Sequence, residues 1–283
     1  MPSKQEQMLA EAITTIHKQF GKGSLRVMSD HSAAEPVEVI STRNKDIDNI
    51  TGIGGMPRGR VIEVYGPEAG GKTTLCLQLV AEAQSKGGLA AYIDAEHSLD
   101  INYARALGVD VDKMLISQPD CGEDALEIAL TLARSGGVMI IVIDSVAALV
   151  PRSELEGEMG DAQMGVQGRL MSQAMRKMIG AVKNTDTLMV FINQIRDKIG
   201  VMFGNPETTT GGKALKFYSS MRVDIRRISQ IKKSEAIIGQ NVKVKIIKNK
   251  LSAPYRDVEV ELHYGKGFIE RAVKLQAHSA EKD

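Results

Sequence analysis

At 283 residues, 43% hydrophobic and 25% charged with a formal net charge of +1, the chain has room for one large domain and a small appendage, in the composition of a soluble globular protein. No apolar run reaches bilayer-spanning length and the N-terminus has no signal segment, which leaves a cytoplasmic protein as the expectation. Two cysteines, Cys76 and Cys121, and five scattered histidines without an H-E-x-x-H pattern exclude a disulfide framework and a zinc hydrolase.

In chain order, Lys4 to Phe20 reads as an amphipathic helix, because Leu9, Ile13, Ile16 and Phe20 form one apolar stripe. Its stripe suits packing on its own domain or docking on a neighbouring subunit equally well. Gly21-Lys22-Gly23 ends it, and a polar linker follows through Glu35. Val61 to Tyr65 then reads as a strand, and Thr73 to Ser85 as a helix stopped by Gly87-Gly88. Between them stands Gly66-Pro67-Glu68-Ala69-Gly70-Gly71-Lys72-Thr73-Thr74, a full G-x-x-x-x-G-K-[ST] phosphate-binding loop. Strand, loop and helix N-terminus together aim N–H groups at one point, where an anion is favoured. Lys72 is placed for the outer phosphates of a nucleotide and the Thr73 hydroxyl for Mg²⁺. Cys76, on the following helix, reads as a small buried residue.

Further along, Leu89 to Ile93 reads as a strand, Asp124 to Arg134 as a helix stopped by Gly136-Gly137, and Val138 to Ile143 as an apolar strand of a buried parallel sheet. Leu170 to Val182 reads as a helix with Arg169, Ser172, Gln173 and Arg176 on a polar face, opposite Leu170, Ala174, Met178 and Ile179. Leu188 to Ile192 is another apolar strand. Beyond it, Met221, Val223 and Ile225 alternate with Arg222, Asp224 and Arg226, the period of a half-exposed strand. The alternation predicts a doubly wound α/β core with more exposed strands at its far end.

Three strand ends carry candidate chemistry. Asp144 closes an apolar strand and suits Mg²⁺ binding through water. Glu96 suits orientation and deprotonation of a water that attacks a terminal phosphate, while neighbouring His97 reads as structural. Gln194, after Asn193, is an amide placed to sense that phosphate and pass its presence to the next segment. That segment, Ile195 to Gly212, carries few helix or strand signals and reads as a long functional loop. Glu156 to Asp161 begins a second loop. Charge is divided along the chain: residues 81–161 hold 15 Asp/Glu against 5 Lys/Arg, and residues 169–250 hold 17 Lys/Arg against 5 Asp/Glu. The split suggests one region for metal and catalysis and another for a polyanion.

The segments Gly66–Thr74, Asp94–His97, Asp144–Arg152, Glu156–Asp161 and Phe191–Gln194, with Val201-Met202-Phe203-Gly204-Asn205-Pro206-Glu207-Thr208-Thr209-Thr210-Gly211-Gly212, closely resemble those of the bacterial RecA recombinases. The similarity extends from about Lys4 to about Phe268. It implies a P-loop NTPase core with a mostly parallel central sheet flanked by helices. It also implies a domain plan of an N-terminal docking helix and linker (1–35), an ATPase and DNA-binding core (36–270) and a short tail (271–283), with the family's C-terminal domain missing.

The implied activity is that of a DNA-dependent ATPase using ATP and Mg²⁺. It forms a helical homo-oligomeric filament on single-stranded DNA, pairs it with homologous double-stranded DNA and exchanges strands. Stimulated self-cleavage of a LexA-type repressor is implied as well. By resemblance, Asp100 and Tyr103 contact adenine, Lys248 and Lys250 reach ATP bound by the neighbouring subunit, and Tyr264 approaches the nucleotide at that interface. The N-terminal helix then docks on a neighbour. Met164 and Ile199 wedge between base triplets, and Arg169, Ser172, Arg176, Arg196, Lys198, Gly211 and Gly212 hold the DNA backbone. Arg226, Arg227, Lys243 and Lys245 match the secondary DNA site, and Lys216, Phe217 and Arg222 the interface segment that relays ATP binding.

Few aromatic residues and no tryptophan leave apolar wedges and cationic backbone contacts as the means of holding DNA. A hexameric ring helicase or a non-catalytic ATP-gated filament protein could share the P-loop. The segment Val201–Gly212 speaks against the first, and intact Lys72, Glu96 and Asp144 against the second. The chain departs from the family pattern at Ala69-Gly70, where two serines are usual, and at Ser98, Asp197, Lys213 and the Arg43-Asn44-Lys45 turn.

Overall fold

The computed structural model describes residues 2–22, 24–25, 37–158, 165–197 and 206–270. The chain divides into two units, Met1–Val37 and Glu38–Asp283. In the first, helix α1 (Lys4–Phe20) covers the predicted span. A capping box starts it: the Ser3 hydroxyl accepts from the Glu6 N–H, and the Glu6 carboxylate accepts from the Ser3 N–H. None of its residues is buried, and Leu9 and Phe20 of the apolar stripe are 61% and 73% exposed.

The second unit begins with β1 (Val39–Ile40), α2 (Lys45–Thr51), β2 (Met56–Pro57), β3 (Val61–Gly66), α3 (Lys72–Ser85), β4 (Ala90–Asp94), α4 (Ile101–Ala106), β5 (Leu115–Ser117) and α5 (Gly122–Ser135). It continues through β6 (Ile140–Asp144), α6 (Arg152–Leu155), α7 (Val166–Thr185), β7 (Leu188–Asp197), β8 (Glu207–Thr209) and α8 (Ala214–Tyr218). Strands β9 (Met221–Lys233), β10 (Ala236–Asn249), β11 (Asp257–His263) and β12 (Gly267–Ile269) end it.

Among the described residues these strands make one ten-stranded sheet, apart from the small β1–β2 pair. The run β9-β3-β7-β6-β4-β5 is parallel throughout, and β10, β11 and β12 extend it antiparallel from β9. Alternation explains why β6 is apolar at every position before Asp144. Ile140 and Val142 enter the core on the α3 side, and Ile141 and Ile143 the core that holds the buried residues of α5 and α7. Because the strands are parallel, the C-terminal ends of β3, β4 and β6, at Gly66, Asp94 and Asp144, gather along one edge of the sheet with Gln194 of β7 in register beside Gly66, where ligands bind in open α/β folds.

Four details differ from the sequence reading. The buried stripe of α7 is Met171, Ala174, Met175, Met178 and Val182, with Leu170 and Ile179 only half-buried beside it; the pattern is shifted because α5 covers the helix from one side. The segment Ile195–Gly212 is not loop throughout, since β7 continues to Asp197 and pairs antiparallel with β8, in register Ile195↔Thr209 to Asp197↔Glu207. Asp224 is buried rather than on an exposed strand face, because Arg226 pairs with it. Glu96 lies in a turn past the end of β4, not at the strand's own end.

Helix α2 and its N-cap Asn44 had no strong sequence signal. The unusual Arg43 takes a positive φ of 62° and reaches Glu82 at 3.1 Å, tying the turn to α3.

Candidate nucleotide and nucleic-acid site

Strand β3 runs through the middle of the sheet and delivers the chain to a turn from which α3 leaves with Lys72 as its first residue. Gly66 is required there: a Cβ would lie 2.1 Å from the Ile225 carbonyl oxygen of β9. Ala69 at the crest has a positive φ of 55°, which costs a non-glycine residue about 1–2 kcal/mol. Buried Gln240 of β10 offsets part of this by donating to the Ala69 carbonyl at 2.9 Å.

The Lys72 ammonium folds over the turn and donates to the carbonyls of Gly66 at 3.1 Å and Pro67 at 2.7 Å. Burial pulls it below lysine's ordinary range, against the opposing pull of Asp144 and Glu96. An anion seated on the turn favours its charged form. A cavity of about 280 Å³ opens here, lined by Ala69, Lys72, Thr73, Tyr103, Gln240 and Tyr264 among others. The Tyr103 and Thr74 hydroxyls share a hydrogen bond of 2.9 Å. Asp100 starts α4 by accepting from the N–H groups of Asn102 and Tyr103, which fixes where Tyr103 enters the cavity wall.

Asp144 closes β6 in register with Asp94 of β4. The Thr73 hydroxyl donates to Asp144 Oδ2 at 3.0 Å, and the Tyr92 hydroxyl donates to the same oxygen at 2.6 Å. Burial pushes the Asp144 carboxyl up, and the two hydroxyls oppose that shift. A hydroxyl and a carboxylate side by side at the mouth of a phosphate loop are hard oxygen donors, a fit for Mg²⁺ held with a nucleotide.

Glu96 is fixed by its backbone: its N–H and that of Ala95 donate to the Asp144 carbonyl at 3.3 and 2.8 Å. Its Oε1 accepts from the Ser145 hydroxyl and from the Gln194 amide, the latter at 2.7 Å. Gln194 Oε1 in turn accepts from Arg196 at 2.8 Å. Glu96, Gln194 and Arg196, which lie 98 and 2 residues apart in sequence, form one hydrogen-bonded run.

A buried network supports this run. Glu63 is fully buried and accepts from Arg222 Nε at 2.5 Å and from Asn193 Nδ2 at 2.8 Å. The Arg222 guanidinium also lies 4.5 Å from the centre of the Tyr65 ring, and burial pushes the Tyr65 hydroxyl up to about 12. Asn193 Oδ1 accepts from the Gln194 N–H at 2.9 Å and from the Thr210 hydroxyl at 2.5 Å. One amide thus ties the Gln194 backbone to a buried ion pair and to the returning end of the loop.

The family model described as the RecA N-terminal domain matches residues 7–269. The chain belongs to the RecA family. Protein RecA of Laribacter hongkongensis (strain HLHK9) is 58% identical over 277 residues, 98% of this chain and 78% of that protein. Protein RecA of Acidiphilium cryptum (strain JF-5) is 60% identical over 260 residues, covering 92% and 76%. Protein RecA of Bdellovibrio bacteriovorus is 58% identical over 269 residues, covering 95% and 71%.

Other RecA-type positions fall at separate places. Lys248 Nζ donates to the carbonyls of Lys216 and Phe217 at 2.7 and 2.9 Å, at the C-terminal end of α8, and Lys250 Nζ reaches the Phe217 carbonyl at 3.4 Å. The Lys250 N–H donates to Ser220, whose own N–H donates to Val61, so these lysines sit where β3 begins. Gly66 ends the same strand, about 16 Å along β3 from Val61. Burial, with the charges of Lys250 and Arg222, lowers Lys248 to about 8. Tyr264, by contrast, lines the cavity beside its own chain's Lys72 and Thr73.

On the nucleic-acid side, Arg169 and Arg176 are exposed on α7, while the Ser172 hydroxyl turns back onto the Gly168 carbonyl at 2.7 Å. Gly211 and Gly212 take positive φ values of 77° and 73°, and a Cβ on Gly212 would lie 3.4 Å from Gly168 Cα, so this turn packs on the start of α7. Arg227 is exposed on β9, and Lys243 and Lys245 lie half-buried on β10 beside it, opposite the buried face of Val242, Val244 and Ile246. Arg226 is engaged: it grips Glu207 with two nitrogens at 3.0 and 2.6 Å and Asp224 with a third, and the Glu207 bond holds its guanidinium more strongly protonated. Met164, Lys198, Ile199 and residues 159–161 and 201–205 lie outside the described residues.

Sequence reasoning missed Tyr92, Ser145, Glu63 and Gln240. Tyr92, Glu63 and Ser145 sit in segments the sequence did mark, but as backbone elements without a side-chain role, and only the folded arrangement of the strands reveals the partner of each. Among the described residues, no helix is long and apolar enough to cross a membrane.

Proposed function

We propose that Gly66–Thr74, Asp144, Glu96 and Gln194 form the ATP site of a cytoplasmic recombinase, and that Arg196 joins that site to DNA. The protein is a DNA-dependent ATPase of the RecA family that forms filaments on single-stranded DNA and carries out homologous pairing and strand exchange in DNA repair. The observation that carries the site assignment is the unbroken run Glu96–Gln194–Arg196.

In this reading the N–H groups of Gly66–Thr74 bind the phosphates, Lys72 pairs with the outer ones, and Tyr103 and Tyr264 flank the base. Thr73 and Asp144 would hold Mg²⁺, which would supply neutralisation of phosphate charge. Glu96 orients the attacking water and takes its proton. Gln194 shares a hydrogen bond with Glu96, so an amide drawn to the terminal phosphate leaves that carboxylate oxygen to the Ser145 hydroxyl alone and pulls on Arg196 at once. Nucleotide state thereby reaches Arg196, Lys198, Gly211 and Gly212, with Arg169, Ser172 and Arg176 on the facing helix. Met164 and Ile199 separate base triplets, and phosphate contacts keep binding independent of sequence.

Lys248 and Lys250 serve the ATP of the next subunit, because the length of β3 separates them from their own. Residues 1–35 dock on that neighbour through the exposed stripe of α1. Lys216, Phe217 and Arg222 relay the contact inward. Arg226, Arg227, Lys243 and Lys245 hold the displaced strand, with Arg226 released from Glu207 to do so. The filament stimulates self-cleavage of a LexA-type repressor, which incubation of the two with ATP analogue and DNA tests directly.

Titrating single-stranded DNA while following phosphate release tests the core assignment. The rate rises with DNA until the filament saturates; a rate that is flat across the titration contradicts the reading. Exchange between a circular single strand and a homologous linear duplex tests the recombinase activity itself.

A further inference from the structure

Tyr92 occupies the middle of β4, between Ala91 and Ile93, and is 1% exposed. Its ring belongs to the core on the α3 side of the sheet. The hydroxyl projects from that core onto Asp144 Oδ2 at 2.6 Å, the shorter of the two hydroxyl contacts on that oxygen. A carboxylate oxygen offers two lone pairs, and Tyr92 and Thr73 occupy both on Oδ2. The carboxylate is therefore pinned about its Cβ–Cγ bond, with Oδ1 set by a group that cannot move without disturbing the core.

We propose that Tyr92 is a positioning residue of the metal site: its hydroxyl fixes the orientation of the Asp144 carboxylate and thereby sets how tightly the site holds the divalent cation that accompanies ATP. The inference rests on the reading of Thr73 and Asp144 as the cation's residues. Partners that orient a metal-binding carboxylate are commonly worth 10–100-fold in metal affinity. A buried tyrosine hydroxyl needs some acceptor in any case. A purely structural hydroxyl, however, predicts a change in melting temperature with cation affinity intact, and the two accounts separate on that point.

The test compares the full chain with Tyr92→Phe, which removes one oxygen and keeps the ring. Bound and free Mn²⁺ are measured by electron paramagnetic resonance with saturating adenosine 5′-(β,γ-imido)triphosphate, and affinity for the same nucleotide is measured in EDTA. Tyr92→Phe is expected to weaken Mn²⁺ about ten-fold and to leave metal-free nucleotide affinity unchanged. The Mg²⁺ concentration for half-maximal hydrolysis rises in parallel, and excess Mg²⁺ restores the rate. Equal Mn²⁺ affinity in the two proteins overturns the proposal, as does a parallel loss of metal-free nucleotide binding, which reports a distorted phosphate loop. A Tyr92→Phe chain that fails to fold also overturns it, by making the hydroxyl a folding determinant. Failure of the unsubstituted chain to bind Mn²⁺ with nucleotide is a different result, and contradicts the assignment of Thr73 and Asp144 instead.

Discussion

The two ends of β3 are built in opposite ways. At its C-terminal end, Thr73, Asp144, Glu96 and Gln194 converge and are joined in sequence by hydrogen bonds, with Lys72 bonded to the turn carbonyls of Gly66 and Pro67 beside them. At its N-terminal end, Lys248 and Lys250 rest on the carbonyls of Lys216 and Phe217, beside a Phe217 ring that is 70% exposed. One end gathers a hydrogen-bonded cluster around a phosphate-loop turn, whereas the other presents two cations and an exposed aromatic ring. Between them runs the buried pair Arg222–Glu63, which touches Asn193 and through it Gln194. The contrast fits the proposal made above, in which one subunit binds the nucleotide and its neighbour's lysines complete the site.

Substitutions at each end should therefore fail differently. Lys72→Ala removes the buried cation of the phosphate loop, and turnover should fall about 1000-fold, with nucleotide affinity falling alongside in a direct binding assay. Replacing Lys248 and Lys250 together by alanine should lower DNA-stimulated turnover about 100-fold while equilibrium nucleotide binding by the isolated chain stays unchanged. Equal loss of binding in the two cases would erase the distinction.

Arg222→Ala tests the connection between the ends. It strands the Glu63 carboxylate without its partner, which typically costs about 3–5 kcal/mol when a buried pair is broken. Denaturant unfolding should show that loss, and Glu63→Gln made in the same chain should recover part of it.

The smallest effect concerns pH. Lys248 is lowered to about 8, so its ammonium form dominates below that pH and is lost above it. DNA-stimulated turnover should decline as pH rises through about 8, and Lys248→Arg, which stays charged, should abolish the decline. A profile unaffected by the substitution removes Lys248 as its source.

Much of this was legible in the sequence for identifiable reasons. The β3–loop–α3 unit announces itself through a local motif, and α1 through a complete apolar stripe. Apolar β6 and β7 are read easily because both faces of a parallel sheet are covered. The links between elements were not legible. The Glu96–Gln194 bond spans 98 residues and the Arg222–Glu63 bond 159, so only strand order brings them together. Tyr92 was not singled out within the strand Leu89–Ile93, since nothing local marks which acceptor its hydroxyl will meet. β8 was hidden because three residues, Glu207–Thr209, are too few to show a period. The Ala69-Gly70 departure has a structural counterpart in the Gln240 bond to the Ala69 carbonyl, whereas nothing in the structure explains Ser98.

The central claim is that each ATP is hydrolysed by groups from two subunits. Mixing Lys72→Ala chains with chains lacking both Lys248 and Lys250 tests it most directly, since only one kind of junction then pairs an intact phosphate loop with intact lysines. With equal amounts on saturating single-stranded DNA, random assembly through a head-to-tail interface should restore roughly a quarter of the unsubstituted rate. A mixture no more active than the sum of its two components measured apart would contradict the account.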